Sequence, residues 1–370
     1  MNTIPSTGRC KLRLDYHPVL LAAVIAVFAL CSRTCALTIN PTFDSSIEND
    51  PEAAAIKATI KTAIAWYGDR FLDPITVSIR FVKDLNISLG QSNKQLYSIS
   101  YSDYRAALAS HATSQDDATA VAGLPIGSNN PVNSNKNVYL TGPLARALGF
   151  AAKYSTPDGT IRLNTSKMNL SDAQADPNKF PLFAVVSHEI DEVLGSGSAL
   201  NNLKNGDAAP TGPILPEDLF RYDQNGMRNF TTDSKATSFF SLDGKTNLAR
   251  FNQKASGDFS DWFSPGGQTP LVQDAFGTPG SDPVLDVELR MLDVLGYNCV
   301  SWQVLVDFAY KGSPNLGTYK NPYRTLATAV SHVPRNGIVL LRGPHSSPEK
   351  ISISKAMTLK SVGGPATIGQ

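Results

Sequence analysis

The side chains best placed for chemistry are His188, Glu189 and Glu192, within the run HEIDE. Apolar residues from Phe183 to Leu194 predict a helix around them, stopped by Gly195. On a helix, positions 188 and 192 stand one above the other on one face, so an imidazole and a carboxylate reach the same ion. The HExxH zinc helix uses this spacing with two histidines, and the glutamate between them activates water. Here the second histidine is a glutamate, Glu192. Carboxylate oxygen does bind zinc, but it lowers the ion's effective charge and so its power to acidify water. Oxygen-rich ligation also widens the choice toward manganese or calcium. The bland reading of the same residues is a buried imidazole paired with Glu192 or Asp191, with Glu189 and Asp191 on an acidic, solvated face.

The elements that must position this helix are legible in part. Ala54, Ile56, Ile60, Ile64 and Trp66 recur at helical spacing behind an acidic start, which predicts a first long helix over 50–71. Ile75, Val77, Ile79 and Phe81 alternate with smaller or polar partners, as in a half-buried strand. Residues 103–122 read as helix and 127–136 (GSNNPVNSNK) as a loop. The run DGTIRLN, 158–164, reads as a turn and a strand, with no further strand candidate before the helix at 183–194. Residues 196–284, rich in Gly, Pro, Asn, Asp and Ser, predict irregular structure with small hairpins, the kind of long loop that carries function or metal. A helix over Val287–Leu295, capped by Gly296, closes the domain, and Met291 falls at core spacing within it.

Composition bounds the class. At 370 residues, 42% hydrophobic and 18% charged, the chain is ordinary for a globular protein and long enough for two domains. A net charge of +1 without a basic run argues against nucleic acid as a partner. Arg9, Lys11 and Arg13 precede the apolar run from Pro18 to Leu30, and small residues follow up to Ala36. This is a signal-peptide pattern over 1–36, which predicts a secreted, extracellular protein with no membrane segment after cleavage; a retained anchor is the alternative. A lipid anchor is not expected, because Leu30 precedes Cys31 where a small residue is needed. Cleavage removes Cys10, Cys31 and Cys35 and leaves Cys299 alone, so stability must come from packing or metal rather than a disulfide.

The flanking sequence VVSHEIDEVLGSGS runs like the HExxHxxGxxH signature of the metzincins, with Gly195 at the glycine and Ser198 at the third-ligand position. DGTIRLNTS is similar to the edge strand that aligns substrate in that family, and ELRMLDVLGYN to its closing helix. Together with PEDLFRYDQNG, FFSLDG, GDFSDW and QDAFGTPG, residues 37–298 also resemble a group of exported, metallopeptidase-like proteins of bacterial type. The resemblance implies an α+β, zincin-like fold: a mixed twisted sheet plus an active-site helix. It carries His188 over as the first zinc ligand, Glu192 to the second ligand position and Glu189 to the general base. Related sequences with an intact HExxH carry a histidine before the tryptophan of the segment matching GDFSDW. Asp261 stands there, so it ranks first as third metal ligand. Asp218 and Glu217 rank next, and Ser198 last, since a neutral hydroxyl is a poor zinc ligand. The ordinary roles are a turn for Asp261 and a helix N-cap or an Asx-turn for Asp218. Arg221 and Tyr222 could face an oxyanion, although packing is the commoner role.

Residues 301–370 differ in character. Short strand-like runs (QVLVDFAY, GIVLLRG, KISIS, AMTLKSVG) alternate with Gly, Pro and Asn turns, and a helical stretch covers 324–333. This piece resembles the opening of a right-handed parallel β-helix of the pectate-lyase kind, with about two coils where about three are needed for independent stability. The whole therefore reads as a signal peptide (1–36), a zincin-like metallopeptidase domain (37–300) and a short, incomplete β-helix (301–370). The expected function is that of a secreted endopeptidase dependent on Zn2+ or another divalent ion, hydrolysing peptide or protein substrates through activated water. The strand at 160–164 would pair with the extended substrate. The alternative is a catalytically silent surface or adhesion protein whose β-helical tail contacts carbohydrate or protein.

Overall fold

A computed structural model describes residues 37–370 apart from 69, 152–155, 172–175, 204, 205, 208, 267–269, 284, 286, 300–302, 313–316, 318–321, 334–336, 355 and 370. Residues 1–36, expected as a signal peptide and holding Cys10, Cys31 and Cys35, lie outside the described residues. No described helix is long and apolar enough to cross a membrane.

The architecture is mixed α+β. In chain order it opens with β1 (Thr38–Phe43), α1 (Ser45–Glu48), α2 (Ala53–Gly68), β2 (Thr76–Lys83), β3 (Gly90–Lys94), β4 (Leu96–Ser100), α3 (Tyr101–His111), α4 (Gln115–Gly123), β5 (Asn137–Thr141), α5 (Gly142–Ala147) and β6 (Gly159–Leu163). β7 (Met168–Asn169) and β8 (Phe180–Pro181) then lead into α6 (Leu182–Leu194), which carries HEIDE. β9 (Arg221–Tyr222), β10 (Phe239–Phe240) and β11 (Ala249–Arg250) form a small antiparallel sheet before α7 (Val287–Leu295).

The sheet that matters to α6 has the order β1-β2-β6-β3. β1, β2 and β6 run parallel, and β3 runs antiparallel to β6. β6 is thus paired on both sides and cannot offer a free edge, which corrects the expectation that residues 160–164 align substrate. The sheet ends in β1 on one side and in β3 on the side against which α6 packs. α6 lies against β3 and β6 and beside α2. Glycines permit that approach: a Cβ at Gly159 would stand 2.5 Å from Val193 Cγ2, and one at Gly90 would stand 2.7 Å from Val185 Cγ1.

Elsewhere the chain departs from simple periodicity. The single helix expected over 103–122 is two, because Ser114 and Asp117 form a capping box that starts α4 afresh. The short strands β7 and β8, which pair with each other, stand where no strand was expected before α6. The closing helix is as expected, with Gly296 at a φ of 133° and Met291 fully buried. Just beyond it, the Tyr297 hydroxyl donates to Leu194 O at 2.7 Å and joins Thr141 Oγ1 in satisfying the last carbonyl of α6.

The C-terminal region has an apolar cluster of its own, including Val306, Leu326, Ala329, Val333, Val339 and Leu341. Its elements are β12 (Gln303–Val306), α8 (Leu326–His332), β13 (Ile338–Arg342), β14 (His345–Ser347), β15 (Thr358–Val362) and β16 (Ala366–Ile368). β12, β13 and β15 pair in parallel, as do β14 and β16. The KISIS run, expected as a strand, forms none. Glu349 just before it instead accepts from Leu326 N at 2.8 Å and Ala327 N at 3.0 Å, capping α8 through space.

One buried carboxyl makes the closure of the main core sensitive to pH. Asp293 on α7 accepts from Ser114 Oγ at 2.7 Å and Cys299 N at 3.1 Å. Burial, followed by the charge of Asp117, raises it to about 7. A carboxyl raised in the folded state contributes stability that is fully present below the unfolded pKa and is lost as pH rises through the folded one, a difference on the order of a few kcal/mol. Asp293→Asn should therefore gain on wild type between pH 5 and pH 8 in thermal melts; a difference independent of pH would contradict the assignment.

Candidate metal centre

The sequence of α6 explains which of its side chains turn inward. Leu182, Val186, Ile190, Val193 and Leu194 are buried at helical spacing, and Gly195 ends the helix at a φ of 155° with its N–H on Asp191 O at 2.9 Å. Glu189 and Asp191 are buried too, at 5% and 0% exposure, which overturns their reading as a solvated acidic face. Asp191 faces the core near Tyr67 and accepts from Gln273 Nε2 at 3.4 Å. His188, Glu189 and Glu192 instead line a cleft of about 610 Å³ with Gly90, Ser92 and Asp261.

His188, Glu192 and Asp261 each turn a donor atom toward one point, all within 4.8 Å of one another. His188 Nε2 lies 4.0 Å from Glu192 Oε1 and 3.9 Å from Asp261 Oδ2. Donors about 2.1 Å from a tetrahedral ion stand about 3.4 Å apart, so the imidazole would close on each carboxylate by about half an ångström, within a set whose separations reach at most 4.8 Å. The imidazole is oriented for this: Nδ1 donates to Val272 O at 3.0 Å, which leaves Nε2 toward the carboxylates. Glu189 Oε2 is buried beside them without a hydrogen-bond partner. A nitrogen, two carboxylate oxygens and an orphaned acidic oxygen fit a divalent ion and a water. The 4.0 Å pairing of His188 with Glu192 is equally the polar contact that the bland reading of these residues expects.

The loops after α6 hold Asp261 in place. The backbone of Asp261 accepts from Asn252 N at 2.7 Å, and Trp262 donates Nε1 to Glu288 on α7 at 3.0 Å. The same Glu288 oxygen accepts from Gln273 N, while Gln273 Nε2 donates to His188 O at 2.8 Å. One carboxylate therefore joins the Asp261 segment to the Val272–Gln273 segment that orients His188. The other third-ligand candidates serve the turn behind the site. Glu217 accepts from Gly197 N at 2.8 Å and from Ser196 Oγ, and Asp218 accepts from Ser198 Oγ, Ala199 N and Leu215 N. Ser198 is thereby committed to Asp218, which is not itself the N-cap but stands third in the 3-10 turn Pro216–Phe220 and accepts from its N-cap residue, Leu215. Arg221 is buried, donates to Phe259 O at 2.7 Å and lies 4.2 Å over Phe251, so it supports the loop core and stands clear of the cleft lining.

The charges around the point are strongly coupled to their surroundings. Burial and then the charge of Glu192 push Glu189 well above its ordinary value, and burial, Glu192 and Asp258 do the same to Asp261. Burial pulls His188 down, but Glu189 and Glu192 outweigh it and leave the imidazole raised. Glu192 ends below its ordinary value, because Lys94, His188 and Ser92 outweigh its burial. Cation uptake would therefore displace protons, and binding should strengthen as pH rises.

Sequence reasoning missed Gly90, Ser92, Lys94, Val272, Gln273 and Glu288. Gly90 matters because a Cβ there would collide with Glu189 Oε1 as well as with Val185. Its missing side chain is the notch that holds the Glu189 carboxyl. Gly90→Ala should cost about 1–3 kcal/mol in urea melts, as overpacking does. In a Glu189→Ala background part of that penalty should vanish, the part left being the contact with Val185 Cγ1, and equal losses in both backgrounds would contradict the notch. No protein-family model, curated protein or solved structure matches this chain.

Proposed function

We propose that the protein is a secreted, divalent-metal-dependent endopeptidase of zincin-like fold. The observation that carries this reading is the convergence of His188 Nε2, Glu192 Oε1 and Asp261 Oδ2 on one point of an open cleft, with Glu189 beside it. Zn2+ suits the imidazole, and the two carboxylates also suit manganese. A bound ion supplies Lewis acidity to the reacting oxygen. His188, Glu192 and Asp261 would hold it. Glu189, whose Oε2 has no other partner, would take a proton from water and return it to the departing amide nitrogen.

The end strand β3 suits an extended peptide. Asn164 N donates to Leu89 O at 2.8 Å, and in the antiparallel register with β6 the residues bonded toward β6 then alternate as 89, 91 and 93. The backbone groups of Gly90, Ser92 and Lys94 face the other way, where a substrate strand can pair beside Glu189. The parallel ladder of 303–370 is consistent with β-helical coils serving as a spacer or a contact surface for protein or cell-surface carbohydrate.

A catalytically silent scaffold is favoured by one specific feature: Lys94 and Ser92 already contact Glu192, so the pocket holds an internal cation. Metal analysis of the purified chain, with a casein or gelatin assay, separates the readings. The peptidase should carry one divalent ion per chain and lose activity to chelator. Glu189→Gln should lower activity about 10²–10⁴-fold with the ion retained, while Asp261→Ala should lose the ion. A chain that binds no divalent ion, or turnover unchanged in Glu189→Gln, would overturn the proposal.

A further inference from the structure

The feature that distinguishes this cleft is how Glu192 is answered. Residues 90, 92 and 94 of β3 fall on one face of the strand, the face against α6. Gly90 meets Glu189, the Ser92 hydroxyl donates to Glu192 Oε2, and Lys94 Nζ lies 3.7 Å from that same oxygen. Lys94 is itself fixed, donating to Ser196 O at 2.8 Å in the turn after α6, with its side chain only 17% exposed. Both β3 side chains thus take Oε2 of Glu192, while Oε1 points at His188. A histidine at 192 would be neutral and would need neither the ammonium nor a second donor. Glu192, Ser92 and Lys94 therefore form a matched set.

We infer that Lys94 is a resident counter-cation of the metal site, and that with Ser92 it is a positioning residue making Glu192 a one-oxygen ligand. This deepens the metal-centre reading and rests on it. Once Glu189, Glu192 and Asp261 are ionised, Lys94 and a divalent ion together balance those three charges, with Asp258 and Asp274 lining the same cleft beyond them. Without an ion, Lys94 keeps the Glu192 carboxylate paired, so the cleft holds its shape when empty. The same charge repels an incoming divalent ion and weakens its binding.

The test is calorimetric titration of chelator-treated full chain with Zn2+ and, separately, Mn2+, for wild type, Lys94→Met and Lys94→Arg. Loss of the charge in Lys94→Met should tighten binding about tenfold or more, whereas Lys94→Arg should stay within about threefold of wild type. Thermal melts give a second readout. In chelator, Lys94→Met should melt below wild type, because a buried oxygen of Glu192 has lost a partner; saturating ion should shrink or remove that deficit. A lysine that only supports the fold would leave the same deficit with and without ion. Equal or weaker binding by Lys94→Met, or an ion-independent deficit, overturns this inference while wild-type binding leaves the metal centre standing. Failure of every form to bind either ion overturns the metal centre and this inference with it.

Discussion

A carboxylate enclosed in a cleft one helical turn from an imidazole is costly unless its charge is answered, and the arrangement around α6 follows from that requirement. Removing an ionised group from water costs several kcal/mol unless cations and donors replace the water. Glu192 is answered on two sides: by Ser92 and Lys94 from the end strand, and by His188 from its own helix. Asp261 shares only the His188 imidazole, 3.9 Å from its Oδ2, Glu189 Oε2 has no hydrogen-bond partner, and burial with the neighbouring carboxylates raises both. The cluster therefore has one carboxylate neutralised and two that an added cation would stabilise.

The rest of the domain keeps these groups at their distances. Gly90 and Gly159 let α6 lie close on the sheet, so that the side chains of β3 meet those of the helix. Glu288 on the closing helix holds both Trp262, next to Asp261, and Gln273, next to the carbonyl that orients His188. The end of α6 is fixed in turn by Tyr297 and Thr141 on Leu194 O and by Glu217 and Asp218 on the turn that follows. Such layered support is what a site of fixed geometry needs on loops as long as these.

Those features were unequally visible in the amino-acid order. The helix around HEIDE, its stop at Gly195 and the closing helix were legible because apolar periodicity and glycine caps are strong local signals. Asp261 was reached through resemblance, since nothing in GDFSDW by itself separates a ligand from a turn residue. β3 was missed because Gly90–Lys94 (GQSNK) has no apolar alternation: its inward face carries glycine, serine and lysine, chosen by α6 and not by a core. Their spacing of two is the signal, readable only once the facing helix is known. The edge role fell wrongly on 160–164 for a related reason: strand order depends on pairing between distant segments, which local pattern does not encode. Gln273 and Glu288 were hidden because their value lies in contacts across the fold.

The proposed peptidase requires one cation among His188, Glu192 and Asp261. Diffraction data collected on both sides of the zinc absorption edge, from crystals grown with Zn2+, test it most directly. A single strong anomalous peak is expected about 2.0–2.2 Å from His188 Nε2, Glu192 Oε1 and Asp261 Oδ2. A cleft without such a peak, or a peak bound by other residues while these three side chains point apart, would contradict it.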